Sequence, residues 1–284
     1  MSDPVFDDPR VRALLDLALR EDVGAGDRTS EATIPEAARA RGSFLAKEPL
    51  VVCGIPVVER VFGRLGPVTL SWSAADGDHV RTGTVLGTVE GAARTLLAGE
   101  RLVLNFLQHL SGIATLTAAC VAQAKGTRLR VRDTRKTVPG LRVLEKYAVR
   151  SGGGTNHRMG LDDAILVKDN HLALGGGDFD AAVRSARTKF PSLPLEVEAR
   201  TMPELERAIA AKPDLILLDN MTVAQLREAV ALVAGRVPLE ASGGIRMADI
   251  AAVAATGVDY VAMGELTHSA RAVDVSLKLE PVAG

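Results

Sequence analysis

The sequence predicts an α/β protein, because its C-terminal half alternates short apolar strands with helical segments. Six strand-like runs follow one another along the chain, at residues 129–133, 164–169, 193–199, 215–220, 238–244 and 259–265. Helical patterns lie between these runs, at residues 141–149, 179–189, 203–211, 223–233 and 247–255. Strands joined by helical crossovers pair in parallel and are buried on both faces. Six strands are fewer than the eight of a closed TIM barrel, so we expect an irregular, incomplete TIM-like α/β barrel.

The first part of the chain has a different texture and predicts a separate N-terminal domain. Apolar residues at helical spacing predict a helix over residues 11–21 and another over residues 55–65. Short alternating runs at residues 42–54 and 68–74 predict strands. The glycine spacing in residues 76–91 predicts a tight hairpin between two strands.

An apolar segment at residues 95–124 predicts one long helix that packs on more than one side. Five polar residues interrupt it and argue against a membrane span: Glu100, Arg101, Asn105, Gln108 and His109. An exposed role and a functional role are equally compatible with Arg101. We interpret His109 as a histidine that packs against its neighbours.

Composition excludes several classes of protein. A formal net charge of -1 argues against a general nucleic-acid binder, which carries a basic excess over a whole domain. The two cysteines, Cys53 and Cys120, lie in apolar surroundings and offer neither a disulfide framework nor a metal motif. The acidic N-terminus lacks the basic and apolar regions of a signal peptide. We therefore expect a cytoplasmic protein that binds neither nucleic acid nor membranes.

Positive charge is concentrated in residues 128–171, which hold ten Lys or Arg against five Asp or Glu. Arg135 and Lys136 follow a predicted strand, and Lys168 ends another, with His171 just beyond it. Ligand sites in α/β proteins form at such strand ends. Arg binds carboxylate or phosphate through two parallel hydrogen bonds and Lys adds a point charge, so the cluster suits a small, multiply anionic ligand. Surface ion pairs are the alternative interpretation.

The remaining strand ends carry carboxylates and glycines. Glu198 and Asp219 form an acidic pair that suits sugar hydroxyls or a Mg²⁺ ion bound through water, unless each only neutralises a nearby Arg. The last two strands end in Ser242, Gly243 and Gly244 and in Gly264, a pattern typical of a phosphate-binding turn whose backbone N–H groups approach the anion.

A glycine-rich loop, residues 151–160, precedes the strand that ends in Lys168 and contains His157 and Arg158. It matches neither a Walker loop nor a dinucleotide-binding fingerprint. We interpret it as a lid or as a loop that positions an anion site; a plain connector is the alternative.

Seven motifs together resemble one family. In chain order they are DTRKT, SGGGTNHRMGL, ILVKDNH, LEVEA, LILLDN, EASGGI and VAMGELTHS, and GERLVLNFLQHLSGIAT earlier in the chain is also similar. This combination resembles the quinolinate phosphoribosyltransferases, a family of decarboxylating pentosyltransferases. The resemblance implies transfer of phosphoribosyl from phosphoribosyl pyrophosphate (PRPP) to quinolinate, with release of pyrophosphate and CO₂. The product is nicotinate mononucleotide, on the way to NAD.

The resemblance also implies an architecture. It implies an N-terminal α+β open-sandwich domain over residues 1–115 and the barrel over residues 116–267, with the tail 268–284 packing on the first domain. It further implies a homodimer with shared active sites, to which Arg101 comes from the neighbouring subunit; a higher oligomer stays open.

Site roles follow from the same resemblance. Quinolinate would be bound by Arg101, Arg135, His157, Arg158 and Lys168. PRPP and its phosphates would be bound by Lys136, Glu198, Asp219, Ser242, Gly243, Gly244 and Gly264. The catalytic set would be Lys136, Lys168, Glu198 and Asp219, with Glu198 and Asp219 near a Mg²⁺ cofactor. The role of His171 stays open.

Three alternatives remain at this stage. A relative on the same fold could use another acceptor, such as nicotinate, although a single carboxylate does not call for four cations. A non-catalytic phosphosugar-binding protein would not need both the acidic pair and the cations. A lyase or aldolase could use Lys168 as a Schiff-base amine.

Overall fold

The structure is a computed structural model, which describes residues 3–282 in two compact units. The first unit comprises the chain up to Ala118, Thr137–Gly153 and the residues from Thr267 onward; the second comprises Ala119–Lys136 and Gly154–Leu266. The domain boundaries 1–115 and 116–267 stay a prediction, but residues 137–153 group with the first unit. They do so because Tyr147 packs edge-on against Phe6 and Arg150 forms an ion pair with Asp3.

The elements follow one another in the order expected for a small mixed domain followed by βα repeats. As far as the long helix they are a 3-10 turn at Pro4–Asp7, α1 (Pro9–Asp22), α2 (Arg28–Thr33), β1 (Arg39–Ala46), β2 (Leu50–Val51), α3 (Ile55–Leu65), β3 (Val68–Trp72), β4 (His79–Val80), β5 (Val85–Ala92) and α4 (Ala93–Gln123). Beyond it lie β6 (Arg130–Arg132), α5 (Arg142–Ser151), β7 (Ile165–Val167), α6 (Asp169–Leu174), α7 (Phe179–Lys189), β8 (Leu195–Ala199), α8 (Met202–Ala210), β9 (Leu215–Asp219), α9 (Val223–Val233), β10 (Leu239–Ser242), a 3-10 turn at Met247–Asp249, α10 (Ile250–Ala254), β11 (Tyr260–Ala262), α11 (Glu265–His268) and β12 (Val275–Pro281).

The first unit contains an antiparallel sheet in the order β12-β1-β5-β3. The C-terminal strand β12 pairs with β1, so the tail of the chain completes this sheet. The hairpin predicted over residues 76–91 is wrong. Strand β5 uses both of its edges to pair with β1 and β3, and β4 pairs with β2 instead.

The long helix predicted over residues 95–124 is α4. By length and composition it is the one helix of residues 3–282 that could cross a membrane, yet 61% of its apolar window is buried, as in the core helix of a soluble protein. Within the first unit, His109 Nε2 lies 2.9 Å from an oxygen of the buried Glu145. This contact agrees with the packing role expected of His109.

The second unit is built on a six-stranded sheet in the order β6-β11-β10-β9-β8-β7, and every neighbouring pair is parallel. Each of the six strand-like runs of the sequence contains one of these strands. The prediction of an incomplete barrel is confirmed, since β6 and β7 lie at the two edges and do not pair with each other. Thr155 forms an isolated parallel bridge with Arg132, so the glycine-rich loop runs along the free edge of β6.

Helix bounds follow the apolar periodicity where amphipathic helices cover the sheet. Helices α7 and α9 have the bounds that the sequence predicts, and α3 does so in the first unit. The short helices α2 and α6 were not predicted. Residues 247–255 were expected to form a helix but begin with a 3-10 turn and continue as the short α10.

Helix α3 begins at a buried acidic cap supplied from elsewhere in the chain. Asp76 accepts hydrogen bonds from the backbone N–H groups of Gly54 and Ile55, and from the hydroxyl of Tyr147. Burial raises the pKa of Asp76, and these three donors oppose that effect. The carboxylate therefore satisfies N–H groups that have no partner within the helix.

Replacing Asp76 by Ala is expected to lower the free energy of unfolding by about 2 kcal/mol, because two backbone donors lose their acceptor. The matched variant Tyr147→Phe removes a single hydrogen bond and should cost about 1 kcal/mol. Denaturant titration of both variants measures the difference. Equal losses in the two variants would contradict the capping role.

Candidate active site

Parallel pairing puts the carboxyl ends of all six strands of the second unit at one edge of the sheet. The residues singled out from the sequence sit at this edge or in the loops that leave it: Arg135, Lys136, His157, Arg158, Lys168, Glu198, Asp219, Ser242, Gly243, Gly244 and Gly264. Arg101 is the exception, since it lies exposed on the part of α4 that belongs to the first unit. The structure of one chain therefore gathers all of the predicted site residues but Arg101 into the second unit.

Lys168 and Glu198 form a contact across neighbouring strands. The Lys168 Nζ atom lies 3.5 Å from Glu198 Oε2, and the Glu198 side chain is only 7% exposed. Burial raises the pKa of Glu198, and the negative charges of Asp219 and Asp169 raise it further, while Lys168 lowers it. The predicted acidic pair is thus close enough to interact, and a cation between or near the two carboxylates would relieve their repulsion.

A glycine turn follows β10 and is shaped by its neighbour Asn220. Gly243 and Gly244 both have positive φ, at 101° and 61°. A Cβ on Gly243 would lie 2.3 Å from Asn220 Oδ1 and 2.7 Å from the Asn220 backbone nitrogen, whereas one on Gly244 would meet nothing within 4 Å. The Asn220 N–H donates to the Ser242 carbonyl at 2.9 Å, which ties β9 to this turn. Only glycine fits Gly243 without displacement, and the turn leaves backbone open for an anion.

Gly264 follows β11 next to the end of β6. The preceding residue, Met263, donates its N–H to the Arg132 carbonyl at 2.9 Å. Residues 247–255, which follow the glycine turn and were expected to form a helix, begin with a 3-10 turn. A helix dipole therefore contributes less to anion binding at the turn after β10 than a regular helix would.

Asp133, the residue after β6, fastens the glycine-rich loop to the sheet edge. It is fully buried, and its Oδ1 atom accepts the His157 backbone N–H at 2.9 Å. Its other oxygen accepts a hydrogen bond from the Asn156 amide. The loop is therefore held by pairing along β6 and by this carboxylate, which favours a positioning loop over a plain connector.

Two arginines of the predicted acceptor site influence each other. The pKa of Arg158 is lowered by burial and by the positive charge of Arg135, which places the two cations near one another. Arg158 also donates to the Ala164 carbonyl at 3.0 Å, immediately before β7. Lys136 is exposed on the same segment as Arg135.

His157 lies in a buried cluster of charged side chains that also contains Arg132, Glu196 and Glu240. We call these four residues the His157 cluster. The Nε2 atom of His157 lies 3.0 Å from Glu196 Oε2 and 3.4 Å from Glu240 Oε1. Arg132 donates to the other oxygen of Glu240 at 2.7 Å and stacks on the ring of Tyr260. Glu196 is 6% exposed and Glu240 is fully buried.

Two effects compete for the charge of the His157 ring. Its Nδ1 atom lies 2.8 Å from the Arg158 backbone nitrogen, a hydrogen bond that requires an unprotonated Nδ1 and contributes about 1 kcal/mol. Hydrogen bonds to charged groups contribute about 1.5–3 kcal/mol each, and two carboxylates face Nε2. Burial alone would lower the pKa of His157, but the bonds to Glu196 and Glu240 raise it to about 9. The two carboxylates therefore favour a protonated ring, and the hydrogen bond to Nδ1 opposes it.

The buried members of the His157 cluster were missed by reading only strand ends. Glu196 and Glu240 are the second residues of β8 and β10, inside strands whose neighbours are apolar. A charged residue inside a buried strand needs a partner, and that is the signal that could have found them. His171, whose role was open, accepts the Lys168 backbone N–H on Nδ1 at 3.1 Å and so orients the start of α6.

Comparison with known proteins gives a consistent result over nearly the whole chain. A family model described as the C-terminal domain of quinolinate phosphoribosyl transferase matches residues 113–278, and the N-terminal domain model matches residues 27–111. A Mycobacterium leprae protein named nicotinate-nucleotide pyrophosphorylase (carboxylating) is 46% identical over 98% of this chain and 100% of its own length. The Nicotiana glauca quinolinate phosphoribosyltransferase (decarboxylating) 1 is 41% identical over 98% of this chain and 83% of its own length. The crystal structure of NadC from Streptococcus pyogenes is similar with a TM-score of 0.93 and 42% identity, covering 100% of this chain and 99% of that one.

Gly243→Ala is expected to destabilise the protein by more than about 2 kcal/mol, because the new methyl group overlaps Asn220 and the backbone is strained. Gly244→Ala is the matched control, since its methyl group meets open space and only the left-handed backbone costs about 1 kcal/mol. Chemical denaturation of both variants measures the difference. Equal losses would show that contact with Asn220 does not determine the turn.

Proposed function

The chain belongs to the quinolinate phosphoribosyltransferase family, and from this premise we propose a role for each of the residues at the strand ends. The reaction is transfer of phosphoribosyl from PRPP to the ring nitrogen of quinolinate, with release of pyrophosphate and CO₂. The observation that carries the proposal is the gathering of cations, carboxylates and a glycine turn at one edge of one sheet.

Quinolinate is a dianion and would be bound by the cations that follow β6 and β7 and by the glycine-rich loop between these two strands. Arg135, Arg158 and Lys168 supply fixed charge, and His157 adds an imidazolium. PRPP is itself highly anionic, so without these cations the two substrates would repel each other. The mutual influence of Arg135 and Arg158 supports a shared site for one small anion.

PRPP would be bound at the same edge of the sheet, at the turns that follow β10 and β11. Its 5′-phosphate suits the turn of Ser242, Gly243 and Gly244 together with Gly264, because positive φ at the two turn glycines leaves backbone N–H groups accessible. Lys136 is exposed and long enough to reach a ligand phosphate as a mobile point charge.

The transfer step develops positive charge on the ribose as pyrophosphate leaves. The ring nitrogen of quinolinate forms a bond to the anomeric carbon while the bond from that carbon to pyrophosphate breaks. Glu198 and Asp219 would hold the ribose hydroxyls and stabilise the developing charge. The low exposure of the Glu198 side chain strengthens its electrostatic effect.

Glu198 and Asp219 also fit a Mg²⁺ ion held through water. The negative charge of Asp219 raises the pKa of Glu198 and Lys168 opposes this effect, so a further cation near Glu198 would relieve the repulsion. Mg²⁺ binds through one or two carboxylates, waters and substrate phosphates, and when bound it supplies charge neutralisation for pyrophosphate. Lys136 and Lys168 would share that task.

Decarboxylation follows from the chemistry of the alkylated ring. Once the ring nitrogen carries the ribose, it is positively charged and stabilises the carbanion that forms at C2 when CO₂ leaves. A proton then replaces the lost carboxylate. The chain needs no Schiff-base lysine for this step.

We further propose a cytoplasmic homodimer in which Arg101 of one subunit completes the acceptor site of the other. The exposure of Arg101 on the first unit supports this arrangement, because an exposed arginine is available to a neighbouring chain.

Purified protein supplied with quinolinate, PRPP and Mg²⁺ is expected to release CO₂ and pyrophosphate in equal amounts. Radiolabelled CO₂ capture together with a pyrophosphate assay measures the ratio. Nicotinate in place of quinolinate is the control and should give no CO₂ and little pyrophosphate. Pyrophosphate release without CO₂ would assign the protein to another acceptor.

Arg101→Ala and Lys168→Ala should each be inactive while keeping the wild-type melting temperature within a few degrees. Mixing the two under conditions of subunit exchange restores one intact site per mixed dimer, and random exchange should recover about one quarter of wild-type activity. The control mixes Lys136→Ala with Lys168→Ala, which both lie in the second unit and cannot complement. No recovery in the first mixture would mean that each site is built from one chain.

A further inference from the structure

The His157 cluster contains more buried charge than the proposed reaction requires of it. Glu196 and Glu240 lie inside β8 and β10, where a carboxylate is unfavourable unless it is paired. In the proposed function, neither Glu196 nor Glu240 contacts a substrate. Their presence therefore calls for a separate explanation.

Charge balance within the cluster explains why both carboxylates are retained. With a neutral His157 ring, the four side chains carry one positive charge, on Arg132, and two negative charges, on Glu196 and Glu240, of which Glu240 is paired with Arg132. Glu196 Oε1 is buried and has no hydrogen-bond partner among residues 3–282, and the nearby charge of Arg158 acts on this carboxylate through space. A proton on His157 restores neutrality within the cluster.

Other charged groups around the ring act in both directions. Asp133, after β6, accepts the His157 backbone N–H and favours a cationic ring. Arg158, the next residue, and Arg135, which lies near it, disfavour a further positive charge. The carboxylates of Glu196 and Glu240 are in direct contact with the ring and outweigh the two arginines.

We propose that Glu196 and Glu240 are positioning residues that keep His157 as an imidazolium, so that the cluster carries no net negative charge beside a dianionic acceptor. This inference rests on the proposed function for the identity of the acceptor. The charge state of His157 depends on the contacts of the ring and can be measured without a substrate.

A metal ion is the competing occupant of the same place. The ligand atoms of His157, Glu196 and Glu240 all lie within 4.8 Å of one another. However, Glu240 already accepts a short hydrogen bond from Arg132, and the guanidinium would lie beside the metal. The cluster is therefore better matched to a proton than to a divalent cation.

The direct test is the titration of the His157 ring, followed by NMR of protein labelled in its histidines. His157→Gln identifies the signal. In the wild type the midpoint should lie near the pKa of about 9 that the two carboxylates produce, so the ring is charged at pH 7.5. In Glu196→Gln the midpoint should fall by at least about one pH unit. This readout needs no substrate, so it can succeed even if the proposed reaction is wrong.

Kinetics test the consequence for binding. Glu196→Gln should raise KM for quinolinate about threefold at pH 8.5, where about three quarters of the rings are protonated in the wild type and about one quarter in the variant. KM for PRPP should change little. The alkaline limb of the pH profile of kcat/KM for quinolinate should move to lower pH in the variant. The His157 ring is charged only below its pKa, and that pKa is lower in the variant. A role limited to stability would not move this limb.

Three further variants keep the test decisive. Glu196→Asp retains the charge and should recover most of the wild-type pH profile. Glu240→Gln removes the second carboxylate beside Nε2, should also lower the His157 midpoint, and replaces Glu196→Gln if the latter does not fold. Glu206→Gln removes an exposed carboxylate on α8 and should change neither the titration nor the kinetics.

Three results would overturn the proposal. One is a His157 ring that is neutral at pH 7.5 in the wild type. Another is a midpoint that does not respond to Glu196→Gln. The third is stoichiometric metal in the purified protein whose removal by a chelator changes the His157 signal.

Discussion

Parallel alignment of the six strands is the constraint on which the whole candidate site depends. Strands that run in the same direction end at the same edge, so residues far apart in the sequence become neighbours there. Lys168 after β7 meets Glu198 near the end of β8, and Asn220 after β9 meets Ser242 at the end of β10. An antiparallel arrangement would send every second strand end to the opposite edge and divide the cations from the carboxylates.

The free edge of β6 also contributes to the candidate site. Strand β6 has no seventh strand beside it, and the glycine-rich loop occupies its free edge through Thr155. Asp133 then fixes the loop through Asn156 and His157. A closed barrel would have covered this edge with regular structure. The irregular barrel instead brings a loop with a histidine and an arginine directly to the strand ends.

The sequence predicted the parts of the fold that depend on local periodicity. Six buried strands and the bounds of α3, α7 and α9 follow from apolar patterns that each element carries in itself. The hairpin over residues 76–91 was wrong because strand partners are chosen by the whole sheet, and β5 is paired on both sides by distant strands. Glu196 and Glu240 were overlooked because strand ends are where ligands bind, while the residues that set the charge of a ligand-binding side chain can lie deeper in the same strands.

Under the proposed function, the balance of charge in the His157 cluster resolves a conflict within the reaction. Binding a dianion calls for positive charge, but a cation held against the 2-carboxylate stabilises the ground state and slows the loss of CO₂. In the His157 cluster, two buried carboxylates balance the charges of Arg132 and a protonated His157. The electrostatic attraction of the cluster for an anion is therefore strong only for a group in direct contact with the ring. A matched cluster can therefore strengthen binding of one carboxylate without holding the other. We propose that the 3-carboxylate, which is retained in the product, is bound more tightly than the 2-carboxylate, which must leave.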